Sequence, residues 1–306
     1  MASAELVKKL RDMTSAGFMN CKKALVECND DLEAAVDWLR KKGLSSAAKK
    51  SGRVTAEGVV SVKTLDNYGL LLEVNSETDF VSKNDKFRDF VKNATDIAFS
   101  NKFTSVDELK NAKYVDGSSV SDALIALIAV IGENLNIRKL DTLSVKNGVV
   151  ASYIHSSEFP GMGKIGILVG VESDCSDKAS LFELGKKIAM HIAASNPIAL
   201  NIEALDKSLV ERERAIIVEQ SSAKAKNEEI LKKMVDGRIA KFYEEVVLLE
   251  QAFVIDGKTK IRDVIASFEK EHNTNVSITG FKKYVLGEGI EKQESNFAEE
   301  VMSQIK

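Results

Sequence analysis

The chain has 306 residues, 44% hydrophobic and 29% charged, with a net charge of −3. That is enough apolar material for two or three ordinary cores, and it leaves no global positive field to hold a phosphate backbone. Nucleic acid is therefore not expected as a primary ligand, and a soluble multidomain protein is.

From the N-terminus, Lys8 and Lys9 interrupt the first ten residues, so neither a secretory apolar core nor transit-peptide character is found, and export or organelle import is not expected. Three helical patterns follow, over residues 4–13, 20–28 and 31–41. Apolar residues recur in them at three- and four-residue spacing, as in Leu6, Val7 and Leu10, then Leu32, Ala35, Val36 and Leu39. Thr14 to Gly17 separates the first two patterns, and Asn29-Asp30 separates the second from the third. This predicts a small helical bundle over residues 1–52, with the small, basic stretch 47–55 as a linker. Cys21 and Cys28 stand seven apart on predicted helix and fit small core residues better than a redox pair. With Cys175 they complete the cysteines. None makes the close pairs that zinc or disulfide frameworks need, so a reducing cytoplasm fits best.

A duplication comes next. Glu57-Gly58-Val59-Val60 recurs as Asn147-Gly148-Val149-Val150, and Gly69-Leu70-Leu71-Leu72 recurs as Gly166-Ile167-Leu168-Val169. The run from Lys92 to Asn101 likewise parallels Lys187 to Asn196. Each copy reads strand, strand, helix, with Asp66-Asn67-Tyr68-Gly69 as a hairpin turn in the first. The expectation is two α+β subdomains with small antiparallel sheets, residues 56–142 and residues 143–205 with 248–286. The apolar run 123–131 is too short to span a bilayer and suits a buried helix. Residues 206–247 turn to long, charge-laced helix broken at 221–227, which predicts an inserted antiparallel helical hairpin; it serves either as a docking arm or as a merely solvated helical pair. Val254, Ile261, Val264 and Ile265 resume globular patterning, residues 279–286 supply a further strand, and 287–306 form a C-terminal module.

Catalytic constellations are missing from the pattern. His155, His191 and His272 lie far apart, with no metal-ligand spacing. Gly161-Met162-Gly163-Lys164 imitates a phosphate loop, but the earlier glycine is absent and Ile165 stands where Ser or Thr is needed. No metal, cofactor or small-molecule substrate is expected, and no enzyme. The distinctive segment is Glu73-Val74-Asn75-Ser76-Glu77-Thr78-Asp79-Phe80-Val81-Ser82-Lys83, whose counterpart Glu172-Ser173-Asp174-Cys175 lacks the Thr-Asp-Phe. A loop that differs between copies of one scaffold is a candidate for specialisation. Its plain structural alternative is a helix start near Val81, with Thr78 or Asp79 as cap and Phe80 as staple.

That segment resembles the signature of translation elongation factor Ts. A second run, Leu10-Arg11-Asp12-Met13-Thr14-Ser15-Ala16-Gly17-Phe18-Met19-Asn20-Cys21-Lys22-Lys23-Ala24-Leu25, is similar to that family's N-terminal motif, on a bundle like ubiquitin-associated domains. The two long motifs occur in the family's order, and the resemblance covers essentially the whole chain. It implies a non-catalytic guanine nucleotide exchange factor for elongation factor Tu, with no nucleic acid or membrane partner. Thr78, Asp79, Phe80 and Val81 would then disturb the GTPase's magnesium and phosphate site. The resemblance also implies partner contacts at Phe18, Met19, Lys22, Ile165, Gly166, His191, Val254 and Ile255. Read from the residues alone, Lys22 belongs equally to a solvated face, His191 to a helix surface or core edge, and Val254-Ile255 to strand core.

Overall fold

The computed structural model describes residues 3–14, 16–157, 159–222, 225 and 227–291. Most of the expected C-terminal module, 287–306, lies outside the described residues, as does part of the hairpin turn at 221–227. By contact density the chain divides into two units, Met1–Ser61 with Leu72–Asp141 and Tyr284–Lys306, and Val62–Leu71 with Thr142–Lys283.

The first unit begins with helices α1 (Ala4–Thr14), α2 (Phe18–Glu27) and α3 (Leu32–Lys50). Val7, Leu10, Cys21, Ala24, Leu25 and Ala35 form their common core, with Cys28 packed at its edge. Asn29 and Asp30 both take left-handed backbone, which turns the chain between α2 and α3. The Asp31 carboxylate then accepts the Ala34 N–H and caps α3. The third pattern was expected to stop at 41 and give way to a linker; instead α3 runs on to Lys50. Gly43 lets it lie close against Ile125 and Ala129, and Lys49 and Lys50 in the last turn suit the negative helix end. Tertiary packing here outweighs a composition that reads as linker.

The chain continues through β1 (Glu57–Leu65), β2 (Tyr68–Ser76), α4 (Asp85–Asn101), α5 (Val106–Asn111), α6 (Val120–Ile131) and β3 (Leu135–Ser144). The apolar run at 123–131 is the body of α6. The second copy contains β4 (Gly148–His155), β5 (Met162–Gly163), β6 (Ile165–Ser173) and α7 (Lys178–Ser195). Helices α8 (Lys207–Ser222) and α9 (Glu228–Val246) are the two arms of the hairpin. They close on Ile217, Val235 and Ile239. Helix α10 (Ile261–His272) and strand β7 (Val276–Val285) complete the order.

The sheets run β3-β2-β1-β5 and β4-β6-β7. Strands β4 and β6 are antiparallel, with Gly148 opposite Glu172 and His155 opposite Ile165. Helix α7 covers this sheet through Leu181, Leu184, Ile188 and Ile192, which share a core with Val149, Ile167, Val169 and Val171. The architecture is α+β with small antiparallel sheets.

The two copies share a backbone device as well as a pattern. Gly58 and Gly148 open their first strands at φ +120 and +138, and a Cβ at either would collide with a carbonyl oxygen, of Val74 in one copy and Val171 in the other. These are the positions that the sequence alignment of the copies equates. The division between units, however, does not fall at residue 142 alone. The hairpin tip 62–71 belongs to the second unit, where a Cβ at Gly69 would come within 2.7 Å of Val150. The first hairpin is simply longer than a self-contained subdomain requires.

Gly58→Ala and Gly148→Ala should each lower stability by about 2–4 kcal/mol, since each combines left-handed strain with a backbone collision. Gly132→Ala, at φ +87 in open space, should cost only about 1 kcal/mol. Urea unfolding of the three variants checks the ranking.

Candidate functional site

The segment after β2 carries the site. Ser76 donates its hydroxyl to the Thr78 carbonyl at 2.9 Å. The Glu133 carboxylate accepts twice from Thr78, from its hydroxyl at 2.7 Å and its N–H at 3.0 Å. Charge-assisted pairs of this kind are about twice as strong as neutral ones. Glu77 in turn accepts from the Asn134 N–H and the Arg53 guanidinium, and Asn134 donates its amide to the Arg53 carbonyl at 2.9 Å. Ser82 closes the turn by donating both its N–H and hydroxyl to the Asp79 carbonyl. Val81 is buried and opens a short 3-10 turn, Val81–Lys83.

With its backbone spoken for on both sides, the loop presents two side chains. Asp79 is exposed. Phe80 is 80% exposed, the highest value for any large hydrophobic among the described residues. Its backbone is ordinary right-handed, φ −62 and ψ −33, so the exposure does not arise from local strain. The capping alternative is not what forms. Thr78 is committed to Glu133, Phe80 has no apolar cover, and the next helix, α4, is capped by Asn84, whose side chain accepts the Lys86 and Phe87 N–H groups.

The second copy handles the equivalent turn differently. The Cys175 N–H is taken by the Ser173 hydroxyl at 3.1 Å, and Asp177 caps α7 by accepting from Ser180. No aromatic residue occurs there.

The remaining sequence candidates fall in three places. Phe18, Met19 and Lys22 are exposed along α2, and Val26 and Met13 join them. Ile165 and Gly166 begin β6; Ile165 is half-buried against the second core and Gly166 is buried. Val254 and Ile255 are not strand core: they sit in a turn before α10, 48% and 57% exposed. His191 is fully buried. Its Nε2 lies 2.9 Å from the Gln251 amide oxygen, its Nδ1 accepts the Val254 N–H at 3.2 Å, and burial pushes its pKa below the ordinary histidine range, the Gln251 bond opposing.

Arg53, Glu133 and Asn134 were not singled out from the sequence, and Glu77 only as part of the distinctive segment. Glu133 follows Gly132, the left-handed cap of α6, and that Gly-Glu step at a helix end was the available signal. The phosphate-loop imitation at 161–164 forms the short strand β5 and leads into another strand, so no helix N-terminus stands behind it to hold a phosphate. Among the described residues no group of three His, Cys, Asp or Glu side chains is placed to hold a metal, and no helix is long and apolar enough to cross a membrane.

Comparison with known proteins agrees with the two motifs. A sequence model of the family described as Elongation factor TS matches residues 77–288, a span that starts at the base of the Thr78–Phe80 loop. The chain is 53% identical over 302 residues to Elongation factor Ts of Rhodospirillum centenum, covering 98% of each chain. It is 52% identical over 300 residues to Elongation factor Ts of Sphingopyxis alaskensis, covering 98% of this chain and 97% of that one. Against Elongation factor Ts of Rickettsia felis the identity is 47% over 299 residues, covering 98% and 96%. With that family model matched over residues 77–288 and these relatives alike over nearly the full length, this chain belongs to the elongation factor Ts family.

Proposed function

We propose that the chain is a guanine nucleotide exchange factor for elongation factor Tu and acts by pressing Phe80 and Asp79 into the GTPase beside its magnesium and phosphates. The observation that carries this reading is an aromatic side chain 80% exposed on a loop whose backbone is fixed from both sides. A bare phenylalanine is unfavourable in water unless some partner covers it. Covering it is worth roughly 1.5–3 kcal/mol.

Each tenfold acceleration of nucleotide release needs about 1.4 kcal/mol of barrier reduction. One wedge thus supplies roughly tenfold to hundredfold, and a larger acceleration draws on further contacts. Phe18, Met19 and Lys22 on α2, Ile165 at the start of β6, and the Val254–Ile255 turn are the surfaces we assign to that role; Gly166, expected beside Ile165, is buried and has no part in it. Val81 serves the wedge from beneath, being buried. The chain supplies no covalent step and needs no cofactor. Elongation factor Tu is the partner, with nucleic acid, membrane and small-molecule substrate playing no direct part, and the setting is the cytoplasm. Linkage then requires that nucleotide weaken the factor's binding by the ratio in which the factor weakens nucleotide.

Phe80→Ala should slow release of labelled GDP from elongation factor Tu roughly tenfold to hundredfold, while shifting stability by less than about 0.5 kcal/mol. Stopped-flow release beside urea unfolding measures both; an unchanged release rate removes the wedge. Glu133→Ala should leave Phe80 in place but unpin its loop, so release slows by roughly tenfold or less. The Thr78 amide should then exchange with solvent about tenfold faster. Amide hydrogen exchange by NMR reads that second effect without the partner.

A further inference from the structure

His191 presents a contradiction that its surroundings resolve. The family resemblance puts it at the partner surface, yet it is fully buried and can touch nothing outside the chain. What it does touch is specific. A backbone N–H can only donate, so the 3.2 Å bond from the Val254 N–H makes Nδ1 the lone-pair acceptor. The ring proton is then on Nε2, which donates to the Gln251 amide oxygen at 2.9 Å. That orientation of Gln251 is itself fixed. Its amide nitrogen donates to two carbonyls, of Glu245 at 2.7 Å and Ser195 at 3.3 Å, and only the nitrogen of the amide can do so. The end of α9 and the end of α7 thus set Gln251, Gln251 sets the imidazole, and the imidazole sets Val254.

The turn that receives this bond is otherwise held by its own residues. The Phe253 N–H donates to the Thr259 carbonyl at 2.8 Å, and the Gly257 N–H to the Phe253 carbonyl at 2.7 Å. The Asp256 carboxylate accepts the Lys258 and Thr259 N–H groups. Phe253 is buried in the second core, its ring centroid 6.0 Å from that of His191. Val254 and Ile255 are left pointing outward, about half exposed.

We infer that His191 and Gln251 are positioning residues: neither meets the GTPase, and together they hold Val254 and Ile255 as a preformed apolar knob for it. This rests on the exchange-factor reading for the identity of the partner, but the hold on Val254 stands in the free chain. It has the same form as the Glu133 hold on Thr78. In each case a polar side chain takes a loop N–H, and the loop's neighbouring apolar residue is thereby presented.

The test uses the full chain and GDP-loaded elongation factor Tu. His191→Leu removes both ring nitrogens while keeping bulk. The Val254 amide should then exchange with solvent roughly tenfold to hundredfold faster, with the Ile188 amide in the core of α7 unchanged. GDP release should slow about three- to tenfold. His191→Asn, whose side-chain oxygen can stand in for Nδ1, should restore most of both. Ile255→Ala should slow release less in His191→Leu than in the parent chain, with a coupling of at least about threefold. If His191→Leu does not fold, Gln251→Met, which removes only the orienting amide, is read in the same way. Unchanged protection of Val254, or strictly additive effects of the two substitutions, overturns the inference. Phe80→Ala run alongside separates the two readings: unaltered release in that variant sinks the exchange function, whereas the Val254 amide still judges the positioning.

Discussion

The pair of hydrogen bonds from Thr78 to Glu133 is the constraint on which the candidate site depends. An aromatic side chain in water gains by folding back onto its own protein, and a loop free to move would let it. Ordering a flexible residue costs about 1–2 kcal/mol, so a loop that had to be ordered on binding would forfeit much of what one buried phenylalanine returns. Here that ordering belongs to the fold. Glu133 accepts the Thr78 N–H and hydroxyl, Glu77 accepts from Asn134 and Arg53, and Val81 is tucked inside. Gly132 makes the arrangement possible, because its left-handed backbone ends α6 and delivers Glu133 and Asn134 to the loop.

The duplication explains why such a loop could arise without loss of the core. Both copies keep the strand-opening glycines Gly58 and Gly148, each packed against a carbonyl of the paired strand where no Cβ fits. Both keep the strand, strand, helix order. They part at the turn that follows the second strand. In the second copy Ser173 and Asp177 satisfy that turn locally and close it onto α7; in the first, the turn is satisfied by Glu133 from elsewhere in its unit and is free to carry Asp79 and Phe80 outward. The second unit presents its apolar pair from another place, the turn at Val254 and Ile255, with His191 taking the corresponding N–H.

Much of this was legible in the sequence, and the boundary of legibility has a physical meaning. Periodicity marked the three bundle helices and the arms of the hairpin, and a continuous apolar run marked α6, because burial of a face or of a whole segment is a local property of the chain. The difference between Thr78-Asp79-Phe80 and its counterpart marked the site. Composition failed at residues 47–50, which read as the start of a linker but continue α3 as helix. It failed again at the first hairpin, whose tip at 62–71 joins the second unit. The supports of the loop were invisible for a stronger reason. Arg53, Glu133 and Asn134 lie 24 to 57 residues from Glu77 and Thr78 in the chain, and a long-range polar pair leaves no periodic trace. His191 was expected by resemblance as a partner contact, but its burial and the partners of its two nitrogens come from residues 60 and 63 positions away in the chain and leave no local trace.

Rigid presentation also suits a factor that must let go. In the proposed cycle, nucleotide returning to the GTPase has to expel the factor, and the two ligands oppose each other by one coupling free energy, typically about 1–3 kcal/mol for coupled sites. A wedge worth roughly 1.5–3 kcal/mol falls in that range. Contacts much stronger than this would shift the balance toward a trapped complex, and weaker ones would leave release slow. Several small preformed apolar contacts meet both demands: each is modest, none requires ordering at the moment of binding, and the loss of one lets the others follow. The fixed turns at Phe80 and at Val254–Ile255 are consistent with that division of labour, and their anchors, the half-buried Glu133 and the buried His191, are where the fold supplies it.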